Sequence, residues 1–158
     1  MLEPWYVEEI APGVTRQWSA KRDVVIFRLM NFRHPAIDAW ANSIQETITE
    51  AQRPRLLVYY FSILPSILTI HYLQQKFRQI DATAMEIFEA AETPPEHTYI
   101  AVVPPRQFAP LANFIIARQA LLRRNFGLTV HAFGTLDEAL EWLVSREAAG
   151  DIAQLRER

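Results

Sequence analysis

The sequence contains no cysteine and only four glycines among its 158 residues. Without cysteine the chain forms no disulfide and has no thiolate metal ligand or cysteine nucleophile. The glycines, at positions 13, 127, 134 and 150, are too far apart to build a phosphate-binding loop. Both the P-loop and the dinucleotide-binding fingerprint are therefore absent, and we expect no cofactor. Gly127 is better explained as a helix stop and Gly134 as a turn before a helix.

Catalytic and metal-binding patterns are also missing. The four histidines, His34, His71, His97 and His131, do not form an H-E-x-x-H or other paired ligand spacing, so we expect no metal. No G-x-S-x-G elbow marks a nucleophile, and we expect the protein not to be an enzyme. A row of acidic residues is more typical of a solvated helix face than of an acid–base pair: Glu86, Glu89, Glu92 and Glu96.

The charges are nearly balanced, with 16 basic and 18 acidic residues and a formal net charge of −2. This balance gives no bias towards nucleic acid or anionic membranes. Arg118, Arg123 and Arg124 are clustered, with Arg106 upstream, but cations near a helix C-terminus are explained by the helix dipole. We therefore expect no nucleic-acid partner.

The longest uncharged stretch runs from Leu56 to Gln75 and has the length of a membrane span. Its proline and several polar side chains favour a different interpretation, in which a buried strand over Leu56–Phe61 is followed by a helix. Ser62 is suited to cap that helix, with Pro65 in its first turn. The N-terminus lacks the basic and apolar regions of a secretion signal, so we expect a cytoplasmic protein without a membrane span.

Hydrophobic periodicity predicts the element order ββαβαβαβα. The predicted strands are Val14–Trp18, Val24–Met30, Leu56–Phe61, Thr98–Val103 and Leu128–Phe133. The predicted helices run from His34-Pro35 to Arg53-Pro54, from about Ile63, from Phe108 to Asn125 and from Leu136 to about Glu147. A capping box at Thr135-Leu-Asp-Glu138 opens the last of these helices. The first has an apolar stripe at three- and four-residue steps, formed by Ile37, Trp40, Ala41, Ile44, Ile48 and Ala51. A helical stretch at Thr83–Glu92 either continues the second helix or follows a break near Asp81. We expect one α/β domain over residues 1–149, with helices packed on a mostly parallel sheet, and a polar tail over 150–158.

The ordered elements between Ile10 and Glu147 resemble the STAS superfamily, in particular the STAS-like branch related to bacterial anti-sigma-factor antagonists. The resemblance is carried by the N-terminal hairpin and by the strand Tyr99–Val103. It is also carried by the closing pattern, from Arg118 through Asn125-Phe126-Gly127 and His131-Ala132-Phe133 to the helix Leu136–Leu143. It implies a STAS-like sandwich that acts by regulatory protein–protein contact.

The chain departs from that family where the third predicted strand meets the second helix. Phosphorylation-switch STAS domains carry an Asp-Ser-Ser/Thr-Gly-like signature there, whereas this junction has neither an acidic residue nor a glycine. The resemblance implies that this junction docks a protein partner, and a second copy of the chain is one candidate. The expected partner-binding residues are Ser62, Ile63, Leu64, Pro65, Ser66, Ile67, Leu68 and Tyr72, with Ser66 as a candidate phosphosite. These apolar residues surround a full helical turn and cannot all face the core.

An alternative function is the binding of a small apolar ligand or lipid. The aromatic residues that would line such a pocket are Tyr59, Tyr60, Phe61, Tyr72 and Phe77. The same aromatics are also suited to an ordinary core.

Overall fold

The structure is a computed structural model that describes residues 6–19, 24–50, 56–61, 67–91, 98–117 and 128–145. Its strands are β1 (Tyr6–Ala11), β2 (Val14–Trp18), β3 (Val24–Leu29), β4 (Leu56–Phe61), β5 (Thr98–Val103) and β6 (Leu128–Ala132). Its helices are α1 (His34–Thr49), α2 (Ile67–Ala90), α3 (Ala109–Ala117), which follows a 3-10 turn at Arg106–Phe108, and α4 (residues 136–145). The predicted mixture of strands and helices is confirmed.

Strand β1 was not expected from the hydrophobic pattern. It pairs antiparallel with β2 through a tight turn at Pro12 and Gly13, where Gly13 has a φ of 77°. A side chain at position 13 would also collide with Asn31, since an added Cβ would lie 2.6 Å from the Asn31 Cβ. Glycine therefore meets both the backbone and the space requirements of this turn.

The six strands lie across the sheet in chain order. Strands β1, β2 and β3 form an antiparallel meander, which includes the predicted hairpin, and β3 to β6 pair in parallel. The prediction of a mostly parallel sheet is wrong, because the additional strand β1 makes half of the strands antiparallel to a neighbour. The result is a mixed sheet.

Helices α1, α2 and α3 contribute to the core on one face of the sheet. The predicted apolar stripe of α1, including Ile37, Trp40 and Ile44, is fully buried there. The Trp40 indole Nε1 also donates to the Phe27 carbonyl oxygen at 3.2 Å, which fixes α1 to strand β3. Helix α2 is continuous across Asp81, so the alternative with a break at that position is wrong.

Helix α4 packs on the other face. Its Ala139 and Leu143 are fully buried in a second cluster with Ile26, Ala101 and Val103 of the sheet. The predicted cap is present, because the Glu138 N–H donates to the Thr135 hydroxyl at 3.3 Å.

The uncharged stretch divides as the sequence predicted, into strand β4 and the beginning of α2. In the ranges that the structure describes, every helix is too short or too polar to cross a membrane. The predicted Ser62 cap and Pro65 lie outside the described residues, as do the C-terminal part of the third predicted helix, the stop at Gly127 and the tail.

Candidate functional site

The predicted docking surface is described only in part. Five of its residues, at positions 62–66 and including the candidate phosphosite Ser66, lie outside the described residues. Ile67 is the first residue of α2, and its backbone alone is described. Leu68 and Tyr72 are the two residues of this surface whose side chains the structure describes.

Leu68 is the most exposed large apolar side chain in the described ranges, with 85% of its surface accessible. It lies in the first turn of α2, one turn before Tyr72 and two turns before Lys76. Residues at this spacing share one helix face. Tyr72 and Lys76 on that face are largely covered, whereas Leu68 is not.

This difference follows from the way α1 and α2 lie side by side. His34, the first residue of α1, stacks on Tyr72 with ring centroids 3.9 Å apart and planes 4° apart. Farther along the pair, the Thr83 hydroxyl donates to Gln45 Oε1 at 3.2 Å, again between residues 38 apart in sequence. The helices therefore run in the same direction, and α1 begins level with Tyr72. Leu68 lies one turn before Tyr72 on α2, and therefore about one turn beyond the level at which α1 begins.

A polar cluster fixes this arrangement. The Tyr72 hydroxyl donates to Asp38 Oδ1 at 2.5 Å, and the Lys76 ammonium lies 2.9 Å from the same oxygen. The Lys76 nitrogen also lies 5.4 Å from the centre of the Tyr72 ring, within cation–π range. With the stacked His34, four side chains from two helices form one connected group. We call His34, Asp38, Tyr72 and Lys76 the α1–α2 polar cluster.

Hydrogen bonds within the cluster shift the pKa values of Asp38, Tyr72 and Lys76. The hydrogen bond from Tyr72, followed by that from Lys76, lowers the pKa of Asp38. The hydrogen bond to Asp38 raises the pKa of Tyr72 and is also the main cause that raises the pKa of Lys76. Carboxylate, neutral phenol and ammonium are therefore the favoured states near neutral pH.

Sequence reasoning identified Tyr72 but missed its partners. His34 and Asp38 are four residues apart on α1, and Leu68, Tyr72 and Lys76 repeat every four residues on α2. These spacings place each set on one helix face. They do not show that the two faces meet, because that depends on the order of strands β3 and β4 and on the offset between the helices.

The remaining candidate residues are separated from this site or are not described. Glu86 and Glu89 are exposed on α2, in agreement with a solvated face, while Glu92, Glu96 and the arginines at 118, 123 and 124 lie outside the described residues. His71 is exposed on α2, and the His131 ring packs near Phe133 and Trp142 on the face of α4. Among the side chains that the structure describes, no three His, Asp or Glu residues are grouped to hold a metal ion.

Two of the aromatics considered for an apolar ligand pocket already have protein partners. Phe77 packs edge-on against Trp40 at a centroid distance of 5.7 Å, and Tyr72 belongs to the polar cluster. The side chains of Tyr59, Tyr60 and Phe61 are outside what the structure describes. Ligand or lipid binding stays a prediction.

Comparisons of the chain with protein families, with curated proteins and with solved structures found no match.

Proposed function

We propose that this chain is a non-enzymatic STAS-like interaction domain that docks a protein partner through the β4–α2 junction. The observation that carries the proposal is the 85% exposure of Leu68 beside the α1–α2 polar cluster. Leu68 lies one helical turn from Tyr72 of this cluster, and an exposed apolar residue next to polar groups is typical of a protein interface.

Support for the STAS-like class comes from the element order and the closing helix. The N-terminal β2–β3 hairpin leads into alternating helices and parallel strands, and the last strand leads through a threonine cap into α4. Each of these features matches a segment on which the sequence resemblance rests.

The polar cluster supports docking by fixing the position of α2. The Tyr72 hydroxyl and the Lys76 ammonium both bind Asp38 Oδ1, which ties the beginning of α2 to α1. The cluster is suited to hold the first turn of α2 rigidly in place, which lowers the entropic cost of docking.

The experiment compares two exposed aliphatic residues on different helices. Leu68→Asp changes the proposed contact, and Val144→Asp changes a residue of α4 that is 60% exposed. Both side chains are accessible, so we expect both variants to fold normally, as circular dichroism and thermal melting would show. Tagged full-length proteins would then be used to isolate complexes from the source organism, and light scattering would give the mass of each purified protein.

The proposal predicts a complex that survives Val144→Asp and is lost with Leu68→Asp. If the partner is a second copy, the purified protein is a dimer that Leu68→Asp converts to a monomer. A complex or dimer that is unchanged by Leu68→Asp, or equally weakened by both variants, would contradict the proposed surface.

A further inference from the structure

We infer a second interaction surface at the β1 edge of the sheet, which accepts an extended segment that carries a basic residue and an apolar residue two positions apart. This surface is separate from the α2 contact. It is defined by the outward edge of β1 and by the side chains of Val7 and Glu9.

The two edge strands of the sheet differ in whether other residues bind their outward-facing backbone groups. At the β6 edge, Asn113 of α3 binds both backbone groups of Ala132. Its Nδ2 donates to the carbonyl oxygen at 3.0 Å, and its Oδ1 accepts from the amide at 2.8 Å. The side-chain amide thus occupies the place of a neighbouring strand and blocks pairing there.

The β1 edge has no comparable cover in the part of the chain that the structure describes. Strand β1 pairs only with β2 and is otherwise the end of the sheet. Residues 6–10 are exposed, and Tyr6 and Val7 have 57% and 62% of their surfaces accessible. An edge strand presents backbone N–H and C=O groups in a row, and another extended strand is the geometry that matches them.

The charges on the strand determine which segment fits. Glu8 is neutralised by Arg16, whose Nη2 lies 2.6 Å from Glu8 Oε2. Arg16 in turn donates to the Thr47 hydroxyl of α1, so this pair belongs to the covered face of the sheet. Glu9 pairs in register with Thr15 and therefore points to the opposite face, as does Val7. A strand that pairs with this edge would lie beside the exposed Glu9 carboxylate and the exposed Val7 side chain, which are two residues apart.

A second copy of β1 fits this edge poorly. Side chains opposite each other in a sheet share one face, so two β1 strands related by a two-fold axis pair residues of the same parity. Of the two registers that use most of the strand, one places Glu9 opposite Glu9 and the other places Glu9 opposite Val7. Like charges directly opposite destabilise the first register, and the second gives the Glu9 carboxylate no cation, whereas a lysine or arginine opposite Glu9 stabilises the pairing.

The test uses NMR titration of the full chain with short peptides. The basic probe is acetyl-Thr-Val-Thr-Lys-Thr-Val-Thr-amide, the acidic control has Glu in place of Lys, and the third peptide is the basic probe with N-methylated valines. The basic peptide should shift and protect the β1 amides and bind about fivefold more tightly than the acidic one. The N-methylated peptide should bind much more weakly, because methylation removes the two valine N–H donors and places bulky groups where the strands would pair.

Charge reversal in the protein completes the test. Glu9→Lys should reverse the preference in favour of the acidic peptide, while Glu86→Lys, which makes the same charge change on the exposed face of α2, should leave it unchanged. Equal binding of the basic and acidic peptides, shifts outside β1, or no binding at millimolar peptide would overturn the inference. A dimer that forms through β1 and is strengthened by Glu9→Gln would also overturn it, since a second copy would then be the occupant.

Discussion

Helices α1 and α2 begin at the same end of the sheet, lie on the same face and run in the same direction, yet they are covered very differently. Helix α1 buries eight of its 16 residues, including Trp40 with no accessible surface. Among the side chains of α2 that the structure describes, Leu73, Ile80 and Ala84 are buried, and Leu68 in the first turn is exposed. Much of its contact with α1 is polar.

This difference in burial assigns the two helices different roles, with α1 contributing mainly to stability and the beginning of α2 to recognition. Helix α1 lies over strands β1, β2 and β3 and fills the core. Helix α2 packs beside α1, is also held to it by the polar cluster, and extends one turn past it. Substitutions in α1 should therefore act mainly on folding. Those at the beginning of α2 should act mainly on binding.

The largest effect on stability is expected for Trp40→Ala in α1. The substitution leaves a large cavity and an unpaired Phe27 carbonyl, and it should lower the free energy of unfolding by about 3–5 kcal/mol. Urea denaturation followed by circular dichroism measures this loss. A loss below about 1 kcal/mol would show that α1 is not the principal core helix.

Within α2, Leu73→Ala and Leu68→Ala form a matched pair that separates the two roles of the helix. Leu73 is buried in the core, so its truncation should cost about 2–5 kcal/mol. The same change at the exposed Leu68 should stay within about 0.5 kcal/mol of wild type. Equal losses in thermal or urea unfolding would mean that Leu68 is covered in solution.

A smaller effect is expected for Asp38→Asn, which removes the charge that Tyr72 and Lys76 share. The Asp38 side chain is 41% exposed, so solvent screening limits the contribution of the ion pair to at most about 1 kcal/mol. Because the pKa of Asp38 is lowered, this contribution is present above the ordinary carboxyl pKa and is lost as the pH falls through the lowered value.

For Tyr72 and Lys76, the partners of Asp38, the contribution to stability is lost as the pH rises. The pKa values of Tyr72 and Lys76 are raised, so their contribution is present below the ordinary values near 10 and disappears as the pH rises through the raised ones. The difference in unfolding free energy between wild type and Asp38→Asn should thus be constant from about pH 5 to 9. It should become smaller below and above this range. A difference that does not vary with pH, measured by thermal unfolding, would contradict the charge assignment.

The smallest effect is spectroscopic and concerns Tyr72 alone. Its pKa should lie above that of an ordinary tyrosine and should return towards the ordinary value in Asp38→Asn, because the hydrogen bond to Asp38 is the main cause of the shift. Carbon NMR of the tyrosine ring, assigned with Tyr72→Phe, measures this directly. An unchanged titration in Asp38→Asn would show that the two side chains are not bonded in solution.

The sequence predicts best where burial repeats along one element. The stripe of Ile37, Trp40 and Ile44 follows the helical period, and all three residues are buried. The cap at Thr135 depends only on residues close in sequence, and the structure contains its hydrogen bond. Strand β1 was missed because its apolar residues do not repeat with the period of a strand. Tyr6, Val7 and Ile10 are exposed, so there is no alternation of buried and exposed residues, and the turn at Pro12-Gly13 was the only local signal.

The candidate site was predicted only in part, because it depends on contacts between distant segments. Leu68 was identified from the excess of apolar residues around one helical turn. Asp38 is 34 residues from Tyr72, and their contact arises only because β3 and β4 are neighbours in the sheet. A single sequence contains the spacing on each helix but not the offset that brings the two faces together.

The most direct test of the proposed α2 contact is site-specific photo-crosslinking of the intact protein in extracts of its source organism. Benzoylphenylalanine would be placed at position 68 and, as the control, at position 144 on α4, which are both exposed aliphatic positions on opposite faces of the sheet. We predict one discrete adduct from position 68, either with a partner protein or with a second copy of the chain, and none from position 144. No adduct from position 68, or the same adducts from both positions, would contradict the central claim that the first turn of α2 is a docking surface.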